Sequence, residues 1–279
     1  MTYIRSALLI NEQDSLNFDE GTIPDAFVFD LSNPTAAPVD SSTIKNKISQ
    51  LTGGMSLSHH VRFSVSTSSS LRSKLQQVFS ADITAVWIAG ISEAQQVRDA
   101  DVEIRRLEME HGIKPGVISL IPELNTIYPI SVLDGILTAV DRIVGVALDL
   151  DLVCADLVVT NSSSSVDLFV QRHILADVAM RVTAQNLATI VTNSDIQMSD
   201  EKIKMISSTG GSGILTRDAD LISSLNHEFM LSRAVSDKAQ AISEQWSSNE
   251  VATQDEGVTI HSMKRATYLA NLANKIDAG

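Results

Sequence analysis

Gly116-Val-Ile-Ser-Leu-Ile-Pro-Glu123 and Arg142-Ile-Val-Gly-Val-Ala-Leu-Asp149-Leu-Asp151 are two short apolar runs that each end on acid. Their length and Val/Ile/Leu content suit strands buried on both faces, as in a parallel sheet covered by helices. Such strands have little reason to finish on carboxylates unless their ends face a polar site. In a (β/α)8 barrel the C-terminal strand ends are that site. Two or three acids converging there suit a hard divalent cation such as Mg²⁺.

Six further runs of the same kind extend the pattern: Tyr3–Ile10, Asp25–Leu31, His59–Val65, Ile83–Gly90, Ala188–Ser194 and Ser212–Thr216. Helical stretches alternate with them, most clearly Ser92–His111, Val132–Val140, Asp167–Leu187 and Ser199–Ser208. In the longest, Phe169, Val170, Ile174, Val178 and Val182 recur at helical spacing. Ser199-Asp-Glu-Lys reads as an N-cap with acids in the first turn. Eight βα alternations specify a parallel sheet, and closure into a single (β/α)8 TIM barrel is the economical solution. Helices expected at Ser236–Ser247 and His261–Ile276 exceed what the barrel needs. The expected organisation is a barrel over 1–235 and a helical extension over 236–279, packed on the barrel or on a neighbouring subunit. A homo-oligomer follows, with a trimer among the options.

Composition narrows the function classes. A formal net charge of -13 over 279 residues argues against nucleic acid and anionic membrane as general partners. No apolar run approaches the ~20 residues that cross a bilayer, and no signal-peptide pattern opens the sequence. The single cysteine, Cys154, excludes an internal disulfide and a cysteine-based metal cluster. The expected setting is cytoplasmic. An anionic ligand would have to be held by a few local basic groups.

The order of these segments resembles the citrate lyase β-subunit-like branch of the HpcH/HpaI aldolase superfamily. Arg5-Ser-Ala-Leu-Leu-Ile is similar to that family's first strand, and Asp25-Ala-Phe-Val-Phe-Asp30-Leu-Ser32-Asn33 to its DAvilDLEDav segment. Val61-Arg62-Phe-Ser64 sits where the family has RVN, and Ile121-Pro-Glu123 falls on its LIET. Ala147 to Leu157 matches AFGAEDyaaDLG without a gap, and Leu225-Asn226-His-Glu-Phe229 resembles VNxxF. The resemblance runs from Arg5 to about Ala266. It implies a Mg²⁺-dependent carbon–carbon lyase of the aldolase or oxo-acid-lyase type, acting on an oxo-acid or an acyl-CoA thioester through a metal-stabilised enolate. It also implies that Glu123 is a metal ligand and that Arg62 clamps a substrate carboxylate, a task its planar fork suits.

Several positions depart from the family pattern. Its second metal ligand aligns with Leu152, its Glu-Asp in the second strand with Ser32-Asn33, and its Pro-Lys with Ala89-Gly90. The Ile-His-Pro segment reads Thr216-Arg217-Asp218, and DGxM reads Ile260-His261-Ser262-Met263. Two classes therefore stand side by side: a lyase, or a catalytically impaired barrel paralogue that binds a small acid or supports a partner protein.

The candidate site follows. Asp149 and Asp151 alternate with leucines, so on a continued strand both carboxylates face one side; otherwise they cap the following helix. Metal ligation is assigned to Glu123 and Asp151, catalysis to Arg62 and Glu123, and substrate binding to Arg5, Arg62 and Asp30. Gly210-Gly-Ser-Gly213 precedes the last strand and reads as a helix C-cap and turn, not a phosphate cradle. His59-His60 lacks the spacing of a zinc site, and His261 reads as a surface residue. Cys154 has the apolar neighbours of a core thiol.

Overall fold

The structure is a computed structural model that describes residues 4–11, 23–32, 41–52, 58–64, 68–79, 83–157, 164–193, 198–230 and 240–241. One compact unit spans Ile4–Glu228, and residues 1–3 with 229–279 form another. The expected terminal helices and His261 lie outside the described residues, apart from Gln240 and Ala241.

Eight parallel strands close into a barrel in sequence order. They are β1 (Ser6–Ile10), β2 (Ala26–Asp30), β3 (Ser58–Ser64), β4 (Ala85–Ala89), β5 (Ser119–Leu124), β6 (Gly145–Asp149), β7 (Ala188–Thr192) and β8 (Gly213–Thr216). Closure is by β8 on β1, where Ser6, Ala7 and Leu8 face Ile214, Leu215 and Thr216. Around the strands lie α1 (Ser41–Thr52), α2 (Ser68–Val78), α3 (Ala94–Glu110), α4 (Tyr128–Ser131), α5 (Leu133–Leu137), α6 (Leu150–Asp156), α7 (Ser164–Ala184), α8 (Asp200–Thr209) and α9 (Ile222–Glu228). Among the described residues no helix is long and apolar enough to cross a membrane.

The strand ends fall within three residues of those expected, because strands covered on both faces must be apolar throughout. The helix expected over Val132–Val140 is the shorter α5, and a further short helix, α4, precedes it and meets it at Val132. Pro129 favours the first turn of α4. As expected, Ser199 caps α8, its hydroxyl accepting from the Lys202 N–H at 3.3 Å, and Gly210 ends that helix with φ 108°. Gly213 is required by close approach, since a Cβ there would lie 2.0 Å from the Ile4 carbonyl oxygen.

The barrel is filled by one face of each strand. Ala7, Leu9, Ala26, Val28, Ala85, Trp87, Ile121, Ala147, Ile190 and Leu215 form a single buried cluster. His60 joins the interior: the Trp87 indole N–H donates to its Nδ1 at 3.0 Å. Burial, and the neighbouring His59, push the His60 imidazole down to about 3, so the folded protein keeps it neutral. The unfolded chain takes up that proton below pH 6.5. This contribution to stability is therefore complete above pH 6.5 and is lost as the pH falls toward 3. By pH 5 the loss is about 2 kcal/mol. Urea unfolding at pH 7 and pH 5 checks this. In His60→Gln, which keeps an acceptor for Trp87, the difference between the two pH values should shrink by about that amount.

A buried ionic network closes the opposite end of the barrel. Arg142, with its side chain fully buried just before β6, donates to both Glu108 oxygens at 2.9 and 3.1 Å and to the Ile118 carbonyl at 2.6 Å. Its Nε donates to Asp101. Glu108 also accepts from the Gly116 and Ile118 N–H groups, each at 2.9 Å. One cluster thus fastens α3 to the approach of β5 and to the segment before β6.

Candidate active site at the barrel mouth

The polar residues of the mouth are read off the strands by one more period-two step. Two residues beyond Val28 stands Asp30; beyond His60, Arg62; beyond Ile121, Glu123; beyond Ala147, Asp149; beyond Ile190, Thr192; and beyond Leu215, Arg217. Register puts Asp30 beside Arg62 and Asp149 beside Thr192 across adjacent strands. Where the inward face leaves the apolar cluster, it turns to charge.

Arg62 organises this layer. Its Nε and Nη2 each donate to a Glu123 oxygen at 2.7 Å, a fork-on-carboxylate pair in which Glu123 is only 1% exposed. Its Nη1 donates to Asp30 Oδ1 at 3.2 Å and to the Ser32 hydroxyl at 3.0 Å. Burial disfavours the Arg62 charge, but Glu123 and Asp30 outweigh it and hold the guanidinium more firmly protonated than usual. Asp30 is likewise pushed up by burial. Hydrogen bonds from Ser32, with Arg62 and Arg217 nearby, reverse this and leave its carboxyl below the usual carboxylate range. Arg217 donates to the second Asp30 oxygen.

Arg62, Glu123 and Arg217 line a cavity of about 290 Å³ whose polar part also includes Asp149, Thr192 and Asn193 and whose apolar part is Leu9 and Leu215. Asp149 is buried, and one of its oxygens accepts from the Leu152 N–H at 3.0 Å, capping α6. Among the described residues no group of three or more His, Cys, Asp or Glu side chains could hold a metal ion. The donor chemistry nevertheless fits Mg²⁺: two carboxylates at the ends of neighbouring strands, with water completing the shell, are hard oxygen ligands of the kind it takes.

The structure brings together three of the residues assigned from sequence, Asp30, Arg62 and Glu123. It does not bring Asp151 there. The chain turns into α6 at Leu150, so the period-two step from Asp149 to Asp151 does not continue. Asp151 instead receives both its oxygens' bonds from Lys202 Nζ at 2.7 Å, with Gln171 adding a third at 3.1 Å. Arg5 is also misplaced by the sequence reading. It precedes β1 and so lies at the opposite end of the barrel, where its fork grips Asp25 at 2.7 and 3.0 Å. Thr192, Asn193 and Arg217 were not assigned to the site. The signal that finds Thr192 and Arg217, with Asp149, is the inward phase of each strand carried one step past its apolar end; Asn193, next to Thr192, is out of that phase.

Leu152, aligned from sequence with a metal ligand, is 47% exposed on the first turn of α6. Leu152→Asp should therefore change folding stability by no more than about 0.5 kcal/mol and leave Mg²⁺ affinity unchanged. Thermal melts and calorimetry check both.

A family model described as HpcH/HpaI aldolase/citrate lyase matches residues 10–210. The chain belongs to that family. Solved structures of similar fold include RipC from Yersinia pestis, 16% identical with TM-score 0.61 over 84% of this chain and 99% of that one. A second is the Haloferax volcanii malate synthase pyruvate/acetyl-CoA ternary complex, 11% identical with TM-score 0.67 over 100% and 93%. A third is CitE from Mycobacterium tuberculosis in complex with magnesium, acetoacetate and coenzyme A, 14% identical with TM-score 0.58 over 98% of both chains. At such identities the likeness is one of fold. No curated protein sequence matches this HpcH/HpaI aldolase/citrate lyase family member.

Proposed function

We propose that the barrel mouth binds a 2-oxo acid at a Mg²⁺ site and that the protein is a citrate lyase β-like carbon–carbon lyase acting on an oxo-acid or its acyl-CoA adduct. The observation that carries this reading is the Arg62–Glu123 fork beside Asp149: a carboxylate-binding guanidinium and two hard oxygen ligands on one small cavity. Glu123 and Asp149 would hold the cation. A cation held there would supply Lewis-acid stabilisation of the negative charge that develops on the substrate oxygen as the carbon–carbon bond breaks.

The chain's own residues supply the rest. The Arg62 donors that now face Glu123 are the pair a substrate carboxylate would take. Asp30 and Ser32 hold Nη1 independently of Glu123, so the guanidinium keeps its orientation when the fork changes partner. Leu9 and Leu215 keep part of the cavity wall apolar, which strengthens the charged contacts above them. The cavity lies at the small end of the range for ligand sites, ~300–1,000 Å³, and suits the acid rather than the body of a coenzyme. The solved relatives bind ligands of this class: pyruvate with acetyl-CoA in one, acetoacetate with coenzyme A and magnesium in another, and oxaloacetate with magnesium in a citrate lyase β subunit. A homo-oligomer remains part of this proposal.

The same ion pair also favours a second reading. Both Glu123 oxygens are already satisfied by Arg62, as they would be in a barrel kept for binding a small acid or supporting a partner protein. Incubation with malyl-, citramalyl-, citryl- and hydroxymethylglutaryl-CoA and Mg²⁺, read by mass spectrometry, separates the two. The lyase reading expects one of them to be split into an oxo or keto acid and an acyl-CoA, with the reaction abolished in Glu123→Gln. Oxo-acid binding without turnover of any thioester would support the second.

A further inference from the structure

We infer that the mouth discriminates for a diacid: Arg217, together with the Thr192 hydroxyl, receives a second carboxylate at the end of the substrate remote from Arg62. This deepens the proposed function and rests on it. Arg217 follows β8 and is 38% exposed, at the outer edge of the cavity that Arg62 and Glu123 also line. A guanidinium carries five N–H donors, and among the described residues Arg217 spends one, from Nη2 to Asp30. Thr192, only 6% exposed, ends β7 on the same cavity, and among the described residues its hydroxyl oxygen has no hydrogen-bond partner.

An orphaned buried hydroxyl costs free energy unless something meets it. A guanidinium with most of its donors unspent is built for planar, bidentate recognition of a carboxylate. Asp30 fixes the direction of both arginines at once, since Arg62 and Arg217 take its two oxygens separately. The two cations are thereby fixed on different oxygens of one carboxylate and line a single cavity, so a short molecule with two anionic groups could meet both. A monoacid would leave Arg217 and Thr192 as they are now.

Calorimetry on the full chain with saturating Mg²⁺ tests this, using matched pairs: oxaloacetate against 2-oxobutanoate, and 2-oxoglutarate against 2-oxopentanoate. For at least one chain length the diacid should bind about tenfold or more tighter, the scale of one charge-assisted contact. Arg217→Gln should bring the diacid to the affinity that the same variant shows for the monoacid. Thr192→Val should weaken the diacid more than the monoacid. Arg217→Lys, which keeps the charge but not the fork, should retain part of the preference. Equal binding of diacid and monoacid by the wild type, or a preference that survives Arg217→Gln, would overturn the inference and leave the oxo-acid site standing. Binding of neither class would overturn both.

Discussion

Arg142→Ala is expected to lower folding stability by about 3–5 kcal/mol, the cost of removing one partner from a buried ion pair. The magnitude follows from what would be left behind. Glu108, Asp101 and the Ile118 carbonyl all lose a donor in a place where no solvent reaches the Arg142 side chain. The Glu108 carboxyl is pushed up by burial. The bonds from Arg142, Ile118 and Gly116 outweigh that and hold it below the usual carboxylate range. A lowered pKa means that its stabilising contribution is present above the unfolded-state value of 4.5 and is lost as the pH falls below it. In Arg142→Ala the largest opposing influence is gone, and desolvation should push the Glu108 pKa up instead. The variant should then lose stability most at neutral pH, with the gap to wild type narrowing in acid. Urea unfolding at pH 7 and pH 4 reads both effects. Because the network lies at the end of the barrel away from the mouth, the surviving folded fraction should bind ligand as wild type does.

Glu123→Gln should have the largest functional effect. The substitution removes one of two carboxylates proposed to hold the cation and also removes the charge that balances Arg62. Turnover should fall by roughly 10²–10³-fold or more, the scale seen when a single electrostatic contributor to an oxyanion is lost. Folding should suffer less than in Arg142→Ala. The amide still fits, one of its atoms still accepts from Arg62, and Arg62 keeps Asp30 and Ser32 as partners. Loss of activity with a melting temperature near that of wild type separates this result from simple unfolding.

How much of this was legible in the sequence depends on the kind of residue. The strands declared themselves because a parallel barrel buries both faces of each, so Ala147 and Leu148 must both be apolar although they point opposite ways. Glu123 declared itself as a charge at the end of such a run. Asp149 and Asp151 could not be told apart by type, since an acid that ends a strand and an acid in a helix first turn look alike. What separates them is the capping bond that Asp149 accepts from the Leu152 N–H, which starts α6 too early for Asp151 to stay in phase. Arg5 was misread for a simpler reason: a residue before a strand belongs to the other end of the barrel, however basic it is. Thr192 and Arg217 carried no pattern of their own. Only the inward phase of β7 and β8, continued past Ile190 and Leu215, picks them out.

In the proposed site Glu123 and Asp149, and not Asp151, hold a divalent cation that recruits an oxo acid to Arg62. Calorimetric titration of Mg²⁺, followed by pyruvate, into wild type, Asp149→Asn and Asp151→Asn tests it most directly. Wild type and Asp151→Asn should bind Mg²⁺ alike and then bind pyruvate, because Asp151 is committed to Lys202 and Gln171. Asp149→Asn should lose about tenfold or more in Mg²⁺ affinity, equivalent to one charge-assisted contact, and lose pyruvate binding with it. Unchanged Mg²⁺ binding in Asp149→Asn, or its loss in Asp151→Asn alone, would contradict this assignment.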